Sequence, residues 1–227
     1  LVAGLCRLLL RRGLRVAPFK GQNMALNSAV TADGCEIGRS QAVQAQACRL
    51  DPCVEMNPVL LKPVRKVGMQ VIVRGNPIGT MNHRDYLKYK VELLPVVIEA
   101  LETLRSEYDV VLMEGAGSPA EVNLRGLAPD LVNMGMALYA EAPVLLVGDI
   151  NFGGVFAWLL GTFDLLQEHE QRMVRGFIIN KFRGDLNLLE SGLQLLESRT
   201  GCPVLGVAPY VETLRLPEED SLDTTPS

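Results

Sequence analysis

The stretch Asp109-Val110-Val111-Leu112-Met113-Glu114-Gly115-Ala116-Gly117-Ser118-Pro119 decides the fold. Four apolar residues in a row, Val110 to Met113, suit a strand covered on both faces, as in a parallel sheet. Glu114 follows at the carboxyl end, and a glycine-rich loop opens behind it. Open α/β sheets bind ligands along that edge. A carboxylate there suits a magnesium ion beside nucleotide phosphates. A solvated strand-end Glu followed by a turn fits the stretch equally well, so the rest of the chain has to decide.

Toward the amino terminus, residues 1–12 carry a helical apolar period closed by Gly13. Arg15 to Phe19 reads as a short strand that delivers Lys20 and a polar loop, Gly21 to Ser28. Helix, strand and loop in that order make the second half of a βαβ unit, whose first strand would precede Leu1. Residues 36–48 read as a helix entered at Asp33-Gly34. Asn57 to Pro63 reads as extended. Gln70 to Arg74, Gly75-Asn76-Pro77 and Ile78 to Met81 read as a β-hairpin that interrupts the alternation. His83 to Glu107 is a long helical stretch, with Pro95 as an expected break or kink.

Toward the carboxyl terminus, Leu131 to Ala140 reads as a short helix. Pro143 to Asp149 is a second buried strand ending in an acid. Gly153-Gly154 lead into a helix reaching about residue 167. Val174 to Ile179 is a third buried strand, ending at Asn180-Lys181. Asp185 to Ser198 reads as helical, and Pro203 to Ala208 as a fourth buried strand. Alternating buried strands and helices imply an α/β fold with a doubly wound, mostly parallel sheet.

The 227 residues suffice for one sizeable α/β domain or two small ones. A net charge of −4 argues against a dedicated nucleic-acid binder. No apolar run reaches the ~18–20 residues that span a membrane. Leu1 to Leu10 lacks the basic leader and cleavage site of a signal peptide, and runs into Arg11 and Arg12. Five cysteines without metal-type spacing point to a reducing cytoplasm.

The polar strand ends carry the chemistry. Lys20, Glu114 and Asp149 share one edge in a parallel sheet, where a lysine and two carboxylates suit magnesium and a nucleoside triphosphate. The competing explanation is that soluble α/β proteins often place Asp and Lys at strand ends. Asn180 either hydrogen-bonds a purine edge or caps a turn. No Gly-x-x-x-x-Gly-Lys-Ser/Thr string occurs, so a phosphate cradle lies upstream of Leu1 or does not exist. The missing initiator Met points to a start inside a longer protein. His83 and His169 read as surface residues.

Five long strings stand out: Pro18-Phe19-Lys20-Gly21-Gln22-Asn23-Met24-Ala25-Leu26-Asn27-Ser28, Met56 to Pro63, Glu114 to Arg125, Val132 to Ala137 and Asn180 to Asp185. Together, and in this order, they resemble the signature strings of cobyric acid synthases. The resemblance implies a dethiobiotin-synthetase-like P-loop fold, here without its first strand and P-loop. It implies ATP and Mg2+, a corrinoid substrate, and ammonia from a glutaminase domain not in this chain. The implied reaction amidates carboxylates b, d, e and g of adenosyl-cobyrinic acid a,c-diamide through an acyl phosphate. It assigns Lys20 and Asp149 to catalysis, Glu114 to the metal and Asn180 to adenine. Gln22, Asn23, Asn27 and Ser28 fall on the substrate side. Residues 1–216 become the synthetase domain and 217–227 an acidic linker, with homo-oligomerisation left open.

The chain departs from the family at Asp149-Ile150-Asn151-Phe152-Gly153-Gly154, where one acid and one Arg are lost. It departs again at Pro63-Val64-Arg65-Lys66-Val67, which lacks the usual acid, and Gly126 to Pro129 reads as a short insertion. The 227 residues by themselves are expected to be inactive and poorly stable. The competing functions are a regulatory P-loop ATPase without amide chemistry, and the sister synthase that amidates positions a and c of cobyrinic acid.

Overall fold

The computed structural model describes residues 1–64 and 68–213. The Arg65 to Val67 departure and the acidic tail from Pro217 lie outside the described residues. The chain divides into two compact units. One holds Leu1–Ala116 and Leu124–Asn133; the other holds Gly117–Asn123 and continues from Met134.

The first unit begins with α1 (Val2–Arg11) and β1 (Val16–Phe19). The apolar face of α1 buries Cys6, which clusters with Val16 of β1 and with Cys48. Gly13, at φ 88, ends the helix in the left-handed region that glycine adopts without strain. β1 is buried along its whole length and pairs in parallel with β8 (Val110–Met113), Val16 opposite Val110 and Phe19 opposite Met113. Among the described residues β1 is the only strand paired with β8. β8 is accordingly half-buried rather than covered on both faces.

The polar loop after Lys20 holds more structure than its composition suggests. Gln22–Met24 form β2, and Ser28–Val30 form β3. β3 pairs antiparallel with β4 (Glu36–Gly38), so the helix expected from residue 36 begins later, as α2 (Arg39–Cys48). β2 lies parallel to β5 (Val59–Val64), which pairs antiparallel with β6 (Gly68–Val73), and β6 pairs with β7 (Asn76–Met81). The hairpin read at Gln70 to Met81 is thus part of a four-stranded mixed sheet. α3 (His83–Glu107) runs unbroken through Pro95. The lost hydrogen bond at Pro95 is offset by a buried stripe of Leu93, Val97, Ala100, Leu101 and Leu104. Asn82 caps its start, accepting from the Asp85 amide at 3.0 Å.

The second unit carries α4 (Met134–Ala140), β9 (Val144–Asp149), α5 (Val155–Leu165), α6 (Glu168–Gln171), β10 (Val174–Phe182), α7 (Glu190–Thr200) and β11 (Val204–Pro209). Its strands form a parallel sheet in the order β11-β10-β9. Phe177, Ile179, Leu146, Val155, Leu159 and Leu196 build the core between sheet and helices. The fold is α/β with parallel β–α–β alternation, as the sequence implied. No helix among the described residues is long and apolar enough to cross a membrane.

Candidate functional site

Register places the predicted strand-end residues in two pairs. In the first unit Phe19 lies opposite Met113, so Lys20 and Glu114 emerge side by side from parallel strands. The Glu114 amide donates to the Phe19 carbonyl at 2.8 Å, carrying the ladder one step past the strands. In the second unit Asn180 lies directly opposite Asp149.

Lys20 is only 4% exposed. Its backbone is fixed on both sides: the amide donates to Met56 O at 2.9 Å, and its carbonyl accepts from Asn57 Nδ2 at 3.1 Å. Asn57 is buried and satisfies three backbone groups, donating also to Val59 O and accepting from the Gly38 amide. That network ties Lys20 to the start of α2.

Glu114 is held by α2. Its Oε2 accepts from Gln44 Nε2 at 2.6 Å and from Gln41 Nε2 at 3.3 Å. Gln41 is 0% exposed and Gln44 5%. Their spacing of three residues puts both amides on one helix face. Gln41 Oε1 in turn accepts from Asn23 Nδ2 at 2.9 Å. The chain Asn23–Gln41–Glu114 therefore links the family-like loop to the strand-end acid. Gly38 leaves room for this cluster: a Cβ there would meet Asn23 Nδ2 at 2.4 Å and Gln41 Oε1 at 2.8 Å. The loop after Glu114 is pinned by Asn133, whose side chain accepts from Ala116 N at 3.0 Å and donates to Ala116 O at 2.7 Å. A Cβ on Gly115 would lie 2.3 Å from that same Asn133 Oδ1.

The remaining loop residues occupy different surroundings. Asn23 is buried at 1% exposure within the amide cluster. Gln22 accepts from the Tyr86 hydroxyl, whose pKa burial pushes well above the usual phenol range. Asn27 O accepts from the Arg39 amide at 3.3 Å. Ser28 Oγ accepts from Lys62 Nζ at 3.1 Å, beside the Lys62–Glu36 ion pair. Burial works to raise the Glu36 carboxyl, but hydrogen bonds from Lys62 and Ser28 outweigh it and hold the group below its ordinary range.

In the second unit the Asp149 carboxylate pairs with Lys181 Nζ at 2.6 Å and caps the Asn151 amide at 3.0 Å. Lys181 sits at φ 62, a strained conformation for a residue with a side chain. Beyond it, Arg183 lies over the Tyr210 ring at 3.5 Å, a cation–π contact. A cavity of about 430 Å³ opens there, lined by Phe182, Arg183, Val207, Pro209 and Tyr210 among others. Gln41, Gln44 and Tyr210 were not singled out from sequence, and Arg183 entered only as part of the Asn180 to Asp185 string. Gln41 and Gln44 share the helical spacing that a solvated polar face would also show.

A family model described as the CobQ/CobB/MinD/ParA nucleotide binding domain matches residues 1–222. The chain belongs to this nucleotide-binding domain family. It is 60% identical over 222 residues to the cobyric acid synthase of Sorangium cellulosum (strain So ce56), covering 98% of this chain and 42% of that protein. It is 58% identical over 222 residues to the cobyric acid synthase of Desulforudis audaxviator (strain MP104C), covering 98% of this chain and 44% of the relative. The chain thus spans less than half the length of these relatives. The similarity to cobyric acid synthases read from the motif strings is borne out, and so is the P-loop-type α/β class of this nucleotide-binding domain family.

Magnesium takes hard oxygen ligands, commonly one or two carboxylates completed by phosphates and water. Glu114 fits that demand. Two neutral amides occupy Oε2, and Oε1 accepts no hydrogen bond among the described residues. No group of three or more His, Cys, Asp or Glu side chains clusters for a metal among the described residues.

Proposed function

We propose that this chain is the amide-forming domain of a cobyric acid synthase. In this reading it uses ATP to activate peripheral carboxylates of a corrinoid, adenosyl-cobyrinic acid a,c-diamide, at positions b, d, e and g. Glutamine-derived ammonia, supplied by a glutaminase domain, then forms the amides. The supporting observation is identity of about 60% to such synthases along 98% of the chain. The Lys20–Glu114 pair at a parallel sheet edge supplies fitting chemistry.

The residues take these roles. Lys20 emerges at the carboxyl edge, where its ammonium offsets negative charge on phosphoryl and substrate carboxylate oxygens as it develops. Glu114 holds the metal through a carboxylate oxygen; a bound Mg2+ supplies charge neutralisation on the transferred phosphoryl group. Asn180 contacts the adenine edge through its amide, with Arg183 and Tyr210 flanking the base. Asp149 fixes Lys181 for the nucleotide side. Gln22, Asn27 and Ser28 face the corrinoid, and Asn23 steadies that loop from within. ATP phosphorylates the carboxylate oxygen with loss of ADP, and ammonia then displaces phosphate to give the amide. The enzyme acts in the cytoplasm.

The test is amide formation by the natural full-length protein with the corrin diamide, ATP and glutamine. Stepwise mass losses of one OH-for-NH2 exchange each, dependent on ATP, are expected. Protein that binds ATP yet forms no amide removes the proposal. The family description also covers MinD and ParA, which supports a second reading as a regulatory ATPase. A corrinoid titration separates the two, because a regulatory ATPase has no affinity for that ring. Competition between cobyrinic acid and its diamide separates this reading from the a,c-diamide synthase.

A further inference from the structure

We propose that Gln44, seconded by Gln41, is the positioning residue that aims the Glu114 carboxylate. It deepens the reading of Glu114 as a metal-binding acid and rests on it. A carboxylate only accepts hydrogen bonds, so each glutamine must turn its NH2 end toward Glu114. Gln44 does so at 2.6 Å, short for an amide donor and in the direction expected when the acceptor is a charged carboxylate. The consequence is visible at its other end. Gln44 Oε1 is buried and has no hydrogen-bond partner among the described residues. Such a group costs free energy that an apolar side chain of the same length would not.

A helix face selected for packing alone would carry Leu or Met at this position. α2 instead carries two buried amides that converge on one oxygen of one acid. Gln41 is locked from behind, its Oε1 accepting from Asn23 Nδ2 at 2.9 Å and from Ser40 Oγ at 3.1 Å. Neutral donors fix the carboxylate without cancelling its charge, as a lysine or arginine would. Glu114 Oε2 takes both amides, and Oε1 accepts no hydrogen bond among the described residues. A local violation of the burial rules that orients a charged group is the pattern expected at a functional position.

The experiment uses the natural full-length protein with Gln44→Met, Gln41→Met and Glu114→Gln. Manganese(II) alone is titrated in, followed by loss of the free-ion paramagnetic resonance signal. Melting is recorded in metal-free, nucleotide-free buffer. Gln44→Met should weaken Mn2+ binding at least about fivefold, because one short charge-assisted bond no longer orients the acid. Gln41→Met should weaken it less, in line with its longer contact of 3.3 Å. Metal-free melting of Gln44→Met should be unchanged or higher, since the orphaned carbonyl is gone. A Gln44→Met protein that melts lower or fails to fold makes Gln44 a packing residue and overturns the proposal. Wild-type Mn2+ affinity in Gln44→Met, with affinity lost in Glu114→Gln, overturns the positioning role alone. Wild-type affinity in Glu114→Gln overturns the metal reading beneath it.

Discussion

Two strands of this chain, each paired in parallel within its own sheet, lead into an acid, and the acids are treated in opposite ways. Glu114, after β8, is gripped by the neutral amides of Gln41 and Gln44. Asp149, closing β9, is paired with the Lys181 ammonium at 2.6 Å. An ammonium offsets charge, whereas an amide donor directs a carboxylate and leaves its charge for another partner. The difference assigns different work to the two ends. In the reading proposed above, the Glu114 end is prepared for a cation. The Asp149 end is a fixed frame, next to a strained residue and a cavity beside Arg183 and Tyr210.

Glu114→Gln is the strongest way to break that contrast. It keeps the shape but removes the charge, so metal-dependent turnover of the full-length protein should fall well over tenfold, about 1.4 kcal/mol or more in the barrier. Steady-state rates across a Mg2+ series check this. Unchanged turnover would put the two ends on an equal footing. Next in size is Gly38→Ala. The backbone at Gly38 has φ −60, which any residue adopts, so the effect is steric. The added methyl would press on Asn23 Nδ2 at 2.4 Å and Asn57 Oδ1 at 3.1 Å. Overpacking of this kind costs about 1–3 kcal/mol, partly offset by ~0.4–1 kcal/mol of reduced chain freedom in the unfolded state. Melting several degrees lower, measured by circular dichroism, is the expected outcome.

Much of this organisation was legible in the chain. The runs Val110 to Met113, Val144 to Val147 and Val174 to Ile179 read as strands because apolar residues without a period have few other places to go. Within each sheet the register pairs the strand ends, Lys20 beside Glu114 and Asn180 beside Asp149. The single edge expected for Lys20, Glu114 and Asp149 is not seen among the described residues, because β1–β8 and β9–β10–β11 are separate sheets. The short hairpin of β3 and β4 was not legible. Each strand has three residues, too few for a two-residue period to show. Glu36-Ile37-Gly38 fitted a helical start until the pairing of Ile37 with Ala29 claimed it. Pro95 was expected to break α3, but the buried stripe on both sides of it holds the helix together. The grip on Glu114 was hidden for another reason. Gln41 and Gln44 lie about seventy residues from it in sequence, and only burial separates them from an ordinary wet helix face.

The Asp149 end is sharpened by a double-mutant cycle of Asp149→Asn and Lys181→Met, read by urea unfolding. The Lys181 side chain is 46% exposed and that of Asp149 25%, so solvent screens the pair. A coupling of about 0.2–1 kcal/mol is expected. A much larger coupling would make this end a buried electrostatic site like that proposed around Glu114.

The smallest effect concerns a third acid, Glu36, which sits with Lys62 and Ser28 beside the β3–β4 hairpin. Its folded pKa lies below its ordinary value, because the hydrogen bonds from Lys62 and Ser28 outweigh the opposing effect of burial. A depressed acid contributes stability that is present above its unfolded pKa, about 4.3, and is lost as pH falls through the folded value. Melting temperature recorded from pH 6 down to pH 3 should therefore drop less steeply in Glu36→Gln than in the parent. The two curves should converge at the acid end, where the parent carboxyl is protonated too. Parallel curves would mean that Lys62 does not stabilise the charged form, and would leave the contrast to the amide-held Glu114 and the ammonium-held Asp149.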